Sequence, residues 1–286
     1  MTGDKKMVSG KKFAVCSALC SMMSIQSGAS IAKYLFNLLG PAGAVILRVG
    51  LASIMLTAVI RPSIRKYTRD QWLSIFIYGA SIGLLNLTFY YGIQRIPVGI
   101  GVAVEFIGPL GLAVCSSRKA LDFLWIFLAA AGIVLIVPWQ GGGDWLGYLL
   151  VFIAGIMWAV YIVSAGKLTK KIKSTEAVSC GMCVAALVVL PAALVTGELF
   201  KIDFRLFLIG LCVAVLSSAL PFSLDLFTLK NLPAKTYSVL QSLHPVFAAL
   251  FALIFLKEHL TWIQWLAIVL IVTASAGTTL FADKNK

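Results

Sequence analysis

Charged residues are scarce in this chain: they make up 12% of its 286 residues, and only 11 residues are acidic. Soluble globular domains carry roughly 25% charged residues, so the composition excludes that class. A hydrophobic share of 60% and a mean hydropathy of +0.97 predict an all-α integral membrane protein. The polar residues 1–12 run into the first apolar stretch without a small-residue cleavage pattern, so we expect that stretch to remain as a helix.

Sequence patterns typical of several catalytic sites are also missing. There is no HExxH, GxSxG or Walker loop, which argues against zinc hydrolysis and ATP-driven pumping. The string 141–144 matches the GxGD motif of intramembrane aspartyl proteases, but its Asp lies in a loop and no span offers a Tyr-Asp partner. All six cysteines lie in apolar segments, and the CxxC of Cys180 and Cys183 has no neighbouring histidine. We therefore predict no enzyme activity, no cofactor and no metal site.

Ten apolar runs are long enough to cross a bilayer, at about 20 residues per helical crossing. The loop 140–144 divides them into two halves, 13–139 and 145–281. The predicted spans are 13–36, 41–60, 72–93, 97–117, 122–139, 145–165, 176–196, 205–228, 233–256 and 261–281.

The basic residues are distributed unevenly between the two sides of these spans. With the N-terminus placed inside, eighteen of the 24 Lys and Arg lie on the inner side and five on the outer side, which leaves Arg48 within a span. Basic loops favour the cytoplasm, so both termini are predicted to be cytoplasmic. These loops account for the formal charge of +13, and we predict contact with membrane lipid and no binding of nucleic acid.

The fourth predicted span, 97–117, carries a glutamate and a proline near its middle. Pro109 has no N–H to bond the carbonyl of Glu105, four positions back. Glu105 thus presents a carboxylate and a freed carbonyl at one depth, where a carboxylate must face protein or a water-filled cavity. Interrupted apolar segments of this kind indicate the binding site of a transporter.

A shift of 136 residues aligns this span with the ninth one. The shift lays 96–114 over the ninth span, where Pro109 aligns with Pro245 and Glu105 with Gln241. Because each half has an odd number of spans, the halves must have opposite orientations. We therefore predict ten transmembrane helices in two inverted five-helix repeats, an architecture typical of secondary transporters, with both interrupted spans at the membrane centre.

Further polar and aromatic residues within the spans are candidates for binding substrate or protons. Arg48 either binds a substrate carboxylate or forms a structural ion pair with Glu105. His244 either titrates during proton coupling or is a hydrogen-bonded packing residue. Trp158 and Tyr161 either contribute to a substrate cage or pack between helices. The remaining candidates are Gln26, Asn86, Tyr90, Gln241 and Asp225, the last of which alternatively meets water at the cytoplasmic end of its span.

Seven segments spread over nearly the whole chain carry a family pattern. They are SMMSIQSGASIAKYLF (21–36), ILRVGLAS (46–53), GIGVAVEFIGPL (99–110), SSRKALDF (116–123), WAVYIVSAG (158–166), LSSALPFSLD (216–225) and FLKEHLTWIQ (255–264). The strings EFIGPL and LPFSLD are the most specific of them. These segments resemble the EamA-type branch of the drug/metabolite transporter superfamily, and within it the bacterial inner-membrane threonine/homoserine exporters.

This resemblance implies export of small amphipathic metabolites, notably threonine and homoserine, driven by the proton gradient without ATP. One position departs from the pattern, since His244 stands where the exporters carry an acidic residue. Other members of the superfamily move nucleotide-derived metabolites, aromatic amino acids or cationic drugs, so uptake, exchange or efflux of such a metabolite, for example S-adenosylmethionine, is the alternative. A structural membrane subunit is the alternative of another class, although it would not need charges at mid-depth. The oligomeric state is left open.

Overall fold

The computed structural model describes residues 2–115, 120–136, 144–221, 224, 228, 240, 242–257 and 259–281. All regular secondary structure in these ranges is helical, as the composition predicts. Five of the described helices are long and apolar enough to cross a membrane: Phe13–Ala32, Pro41–Ile60, Arg69–Ile93, Trp145–Leu168 and Ser174–Val195.

The described helices follow the predicted spans closely. The first one is longer than predicted, because residues 2–12 continue it. A π-helical segment, Val215–Ala219, directly follows α9. The helices are α1 Thr2–Leu39, α2 Pro41–Ile60, α3 Arg69–Ile93, α4 Val98–Glu105, α5 Ile107–Cys115, α6 Ala120–Ile136, α7 Trp145–Leu168, α8 Ser174–Val195, α9 Phe204–Ala214, α10 His244–Leu256 and α11 Trp262–Phe281.

The fourth predicted span is interrupted, as its sequence predicts. Helix α4 ends at Glu105 and α5 begins two residues later, at Ile107. Pro109 thus lies in the first turn of α5, and Pro245 likewise lies in the first turn of α10. Proline is well tolerated there, because the first N–H groups of a helix have no intrahelical partner. Each proline therefore follows a helix start instead of breaking a continuous helix.

Helix α3 is central to the packing and contacts both α7 and α8. Two glycines one turn apart, Gly79 and Gly83, allow the close approach of α3 to α8. A side-chain carbon at Gly79 would meet the Gly181 carbonyl, and one at Gly83 would meet the Ala185 carbonyl. Such a small-residue pair is typical of tightly packed membrane helices. Elsewhere α2 packs on α8, and α6 packs on α11.

The start of α2 is held by a buried carboxylate from a distant part of the chain. Gly40 precedes the helix with a φ of +86°, and Pro41 occupies its first turn. Glu198, which is 9% exposed, accepts a hydrogen bond of 2.6 Å from the Gly43 backbone N–H. The negative charge there satisfies a free donor at the positive end of the helix.

The start of α7 is held in a similar way by Asp144, the last residue of the loop that divides the chain. The Asp144 side chain accepts a hydrogen bond from the Gly147 N–H at 3.1 Å and pairs with Arg95 at 2.8 Å. The hydrogen bond from Arg95, followed by that from Gly147, holds the pKa of Asp144 below its ordinary value. This carboxylate therefore ties the end of α3 to the beginning of α7.

Candidate functional site

The helix break at Glu105 is packed directly against the middle of α7. A side-chain carbon at Gly155 would meet the carbonyl oxygen of Glu105, and one at Gly108 would meet the carbonyl of Gly155. Only glycine at 108 and 155 allows the two backbones to come this close. The freed carbonyl of Glu105 therefore lies at the contact between α4 and α7.

The Glu105 side chain is 7% exposed. No hydrogen bond or ion pair joins its carboxylate to any residue in the described part of the chain. Arg48 is near enough for its charge to attract the carboxylate, but these two side chains do not form a direct ion pair. A buried carboxylate without such a partner is costly in a membrane protein, so Glu105 stays a candidate for binding substrate or protons.

Arg48 is held by two other groups. One guanidinium nitrogen donates to the Tyr90 hydroxyl at 3.0 Å, and the other terminal nitrogen donates to the Ser217 carbonyl at 3.2 Å. The guanidinium also lies 5.7 Å from the centre of the Tyr90 ring, a cation–π distance. The Arg48 Nε is buried and has no hydrogen-bond partner in the described ranges. The structural ion pair with Glu105, one of the two alternatives for Arg48, does not form.

The Ser217 carbonyl that accepts from Arg48 lies within a π-helical turn. Residues Val215–Ala219 form the π segment, and such segments often lie at functional sites in membrane and soluble helices. Gly28 of α1 packs against Ser217 so closely that a side-chain carbon would overlap the Ser217 hydroxyl group. The first helix therefore fits against the segment that holds Arg48.

His244 and Trp158 form a second part of the same region. The Gln26 side-chain nitrogen lies 3.3 Å from His244 Nδ1. An amide N–H only donates, so this contact needs an unprotonated Nδ1. The Trp158 ring packs edge-on against both His244, at 6.3 Å, and Phe106, at 5.5 Å, between ring centres. Phe106 is the residue next to Glu105, so this aromatic group extends from α10 to the helix break.

Six of the predicted site residues thus meet in one region of the structure, and the other four fall elsewhere or outside it. Asn86 donates to the carbonyl of Ile82 in its own helix, at 2.8 Å. Tyr161 stacks on Tyr78 at 5.3 Å, which favours the packing alternative for this ring. Asp225 and Gln241 lie outside the described residues. The six that meet are Gln26, Arg48, Tyr90, Glu105, Trp158 and His244.

Three contributors to this region were not predicted from the sequence. The Ser217 carbonyl lies in the π turn, which a hydropathy pattern does not reveal. Phe106 and Gly155 lie in apolar stretches where they look like packing residues. The position of Gly155, three residues before Trp158 and so nearly on the same side of α7, is the one signal that points to it.

The arrangement is suited to binding a small molecule with two opposite charges. Arg48 offers guanidinium N–H groups, Glu105 offers a carboxylate, and Trp158 and Phe106 offer aromatic surface. No group of three His, Cys, Asp or Glu that is able to hold a metal ion occurs among the described residues.

Comparisons with known proteins agree with this picture. The model of the EamA-like transporter family matches residues 145–280. The threonine/homoserine exporter RhtA of Escherichia coli (strain K12) is 41% identical over 271 residues, which cover 93% of this chain and 91% of the exporter. The uncharacterized inner membrane transporter YedA of the same strain is 25% identical, over 80% of this chain and 76% of that protein. These relatives carry the names of transporters and not of enzymes, as the sequence predicts for this chain.

One solved crystal structure of a protein has the same overall fold. It superposes with a TM-score of 0.63 over 95% of this chain and 98% of the other, at 17% sequence identity. At this identity the likeness concerns the fold alone. The similarity therefore extends through both halves of the chain, beyond the part that the family model matches.

Proposed function

Because the chain belongs to the EamA-like transporter family, we propose that it is a secondary transporter that exports small amino acids such as threonine and homoserine across the bacterial inner membrane. The RhtA relatives are named threonine/homoserine exporters, which supports the substrate class. The scarcity of charge outside short basic loops supports the location in the membrane.

The observation that carries the proposal is that a basic and an acidic side chain, Arg48 and Glu105, lie near each other within the spans. They do not form a direct ion pair. We expect a zwitterionic amino acid to bind with its carboxylate against the Arg48 guanidinium and its ammonium against the Glu105 carboxylate. An Arg–carboxylate contact is charge-assisted and directional, so Arg48 would set the orientation of the substrate.

We further propose that the halves 13–139 and 145–281 are inverted repeats related by a pseudo-twofold axis. The helix contacts support this. The pairs α2 with α8 and α6 with α11 are counterparts under the repeat and pack on each other, and α4 of the fourth span packs on α10 of the ninth span, its counterpart. Helix α3 contacts α7 and α8, and its counterpart α9 contacts α1 and α2. Side-chain caps at Thr68 and Asp203 also start the counterpart helices α3 and α9.

Proton coupling in this proposal depends on Glu105. A protonated carboxyl group does not attract an ammonium group, so a proton and the substrate compete for the same side chain. Proton entry from the outer side then releases the amino acid there. The protonated, substrate-free site returns to the cytoplasmic side, where Glu105 loses its proton and the next amino acid binds. His244, with its Nδ1 against Gln26, is a less direct candidate because its ring is already engaged.

The test is counterflow of labelled threonine in proteoliposomes that contain the purified protein. We expect uptake against unlabelled internal threonine, and we expect homoserine to compete with it. Arg48→Gln should abolish this uptake, whereas Arg205→Gln, at an exposed position at the start of α9, should leave it unchanged.

Two outcomes would count against the proposal. The protein has a different substrate if threonine and homoserine do not compete but S-adenosylmethionine, an aromatic amino acid or a cationic drug does. If none of these compounds shows counterflow, although cooperative thermal unfolding shows that the purified protein is folded, the result would favour a structural subunit.

A further inference from the structure

A groove on the outside of the helices lies away from the Arg48–Glu105 region. It has a volume of about 380 Å³ and is formed by α3, α5 and α7. Ile77, Val160 and Val163 in its wall are between 37% and 43% exposed. Such exposed aliphatic side chains are expected where a helix faces acyl chains. The one charged residue in the lining is Lys167, in the last turn of α7.

A second cavity, wide open to solvent and of about 460 Å³, lies between the turn before α3 and the turn before α8. Lys66, Lys170 and Lys173 line it, and none of their side chains makes an ion pair or a hydrogen bond with the described residues. The only carboxylate in the lining, that of Glu176, accepts a hydrogen bond of 2.7 Å from the Tyr67 hydroxyl. The cavity thus holds unpaired positive charge.

The two cavities are neighbours. The Lys171 ammonium, which lines the basic cavity, donates to the Ser74 hydroxyl at 3.0 Å, and Ser74 lines the groove. Along α7 and the turn that follows it, Lys167 of the groove precedes Lys170 of the basic cavity by three residues. Lys171 itself is paired with Asp70 at 2.6 Å, which leaves the other lysines for a ligand.

We propose that this surface binds one anionic phospholipid, with its phosphate among Lys66, Lys167, Lys170 and Lys173 and an acyl chain in the groove. Basic pockets between membrane helices are suited to such head groups, and nearby lysines attract anionic lipid. The lining of the groove runs along α7 from Ala159 to Lys167, roughly 12 Å at the helical rise, which accommodates part of a chain. A free phosphate would leave that apolar length unfilled.

The position relative to the membrane is consistent with this occupant. The lysines belong to the loops that the distribution of basic residues predicts to be cytoplasmic, where the leaflet surface is negative. The occupant would also touch the second half of α7, whose first half approaches the helix break at Gly155. We therefore expect bound lipid to raise the thermal stability of the protein.

The test is native mass spectrometry of the full chain in detergent, titrated with phosphatidylglycerol or phosphatidylcholine. We expect the unmodified protein to retain one phosphatidylglycerol more tightly than any phosphatidylcholine. In the triple variant Lys66→Gln/Lys170→Gln/Lys173→Gln, the apparent affinity for phosphatidylglycerol should fall on the order of tenfold or more. The matched control Lys201→Gln/Arg205→Gln/Lys257→Gln removes three exposed basic residues from the predicted outer side and should bind as the parent does.

Two further arms distinguish lipid from free phosphate and are independent of transport. Val160→Trp fills the groove and should weaken binding of long-chain phosphatidylglycerol, while glycerol 1-phosphate should not displace the lipid. Any one of three results would overturn the proposal. The parent retains both lipids equally, the lysine triple variant binds phosphatidylglycerol as the parent does, or glycerol 1-phosphate displaces the lipid. A thermal unfolding scan of every variant is the control that it is folded.

Discussion

At the scale of single residues, the guanidinium of Arg48 is fixed by partners from two distant parts of the chain. Tyr90 comes from α3 and the Ser217 carbonyl from the π segment after α9. Both contacts use the planar geometry of the guanidinium, which presents N–H groups in several directions at once. In the proposed site, Arg48 would therefore be oriented before a substrate arrives, and this would reduce the entropy lost on binding.

Replacing Arg48 by lysine keeps the charge but removes this double contact. An ammonium group does not reproduce the fork of N–H donors, so we expect the apparent KM for threonine to rise on the order of tenfold, equivalent to about 1.4 kcal/mol. The measurement is the concentration dependence of threonine counterflow. Arg205→Lys serves as the control at an exposed position, and a KM for Arg48→Lys equal to that of the parent would contradict the role of Arg48.

At the scale of helices, the region is built where two backbones come into contact. Helix α7 reaches the break between α4 and α5 through Gly155 and Gly108, and it places Trp158 beside Phe106 and His244. The break between α4 and α5, the close approach of α7 to it and the position of the aromatic rings therefore depend on one another. A change that separates α7 from α4 should disturb all three.

Gly155→Ala tests the close approach of α7 to the helix break. The added methyl group would meet the Glu105 carbonyl, so we expect a lower midpoint of thermal unfolding and a reduced rate of threonine counterflow. The matched control is Gly166→Ala in the same helix, where no atom lies within 4 Å of the added carbon. Alanine favours a helix over glycine by about 1 kcal/mol, so the control should be as stable as the parent or more so. Equal behaviour of the two variants would show that the contact at Gly155 is unimportant.

Pro109→Ala tests the interruption itself. Alanine supplies the N–H that bonds the carbonyl of Glu105 in a continuous helix, and it thereby favours joining α4 to α5. We expect a several-fold lower rate of counterflow from a protein that is still folded. Pro191→Ala, which removes an exposed proline from the interior of α8, is the control and should transport normally. Transport by Pro109→Ala at the parental rate would mean that the break is not needed.

At the scale of the whole molecule, hydropathy and single prolines are enough to predict most of the helices and the break in the fourth span. The details that depend on how the helices pack are not predicted from the sequence. Apolar runs predict helices because a bilayer leaves the backbone few other ways to satisfy its hydrogen bonds. The Glu105–Pro109 pattern likewise predicts the interrupted fourth span. The π turn at Ser217 and the direction of the Asn86 amide depend on how neighbouring helices pack, so the sequence alone does not reveal them.

The proposed inverted repeat predicts which loops share a side of the membrane. In a cysteine-free background, a cysteine introduced at Lys170 should react with a membrane-impermeant thiol reagent only from the cytoplasm. One introduced at Lys201, in the next loop along the chain, should react only from the outside. The measurement is labelling of intact cells compared with inside-out vesicles. Labelling of both positions from one side would contradict the predicted topology.

The most direct test of the account is transport by Glu105→Gln in proteoliposomes whose lumen is acidic relative to the bath. We expect the parent to concentrate labelled threonine by exchange for protons. In the variant the gradient should no longer drive accumulation, because the amide of glutamine does not take up a proton at these pH values and has no negative charge to attract an ammonium group. Glu176→Gln, at a carboxylate in the first turn of α8 that accepts a hydrogen bond from Tyr67, should accumulate threonine as the parent does. Accumulation by Glu105→Gln equal to that of the parent at every imposed pH gradient would contradict the account.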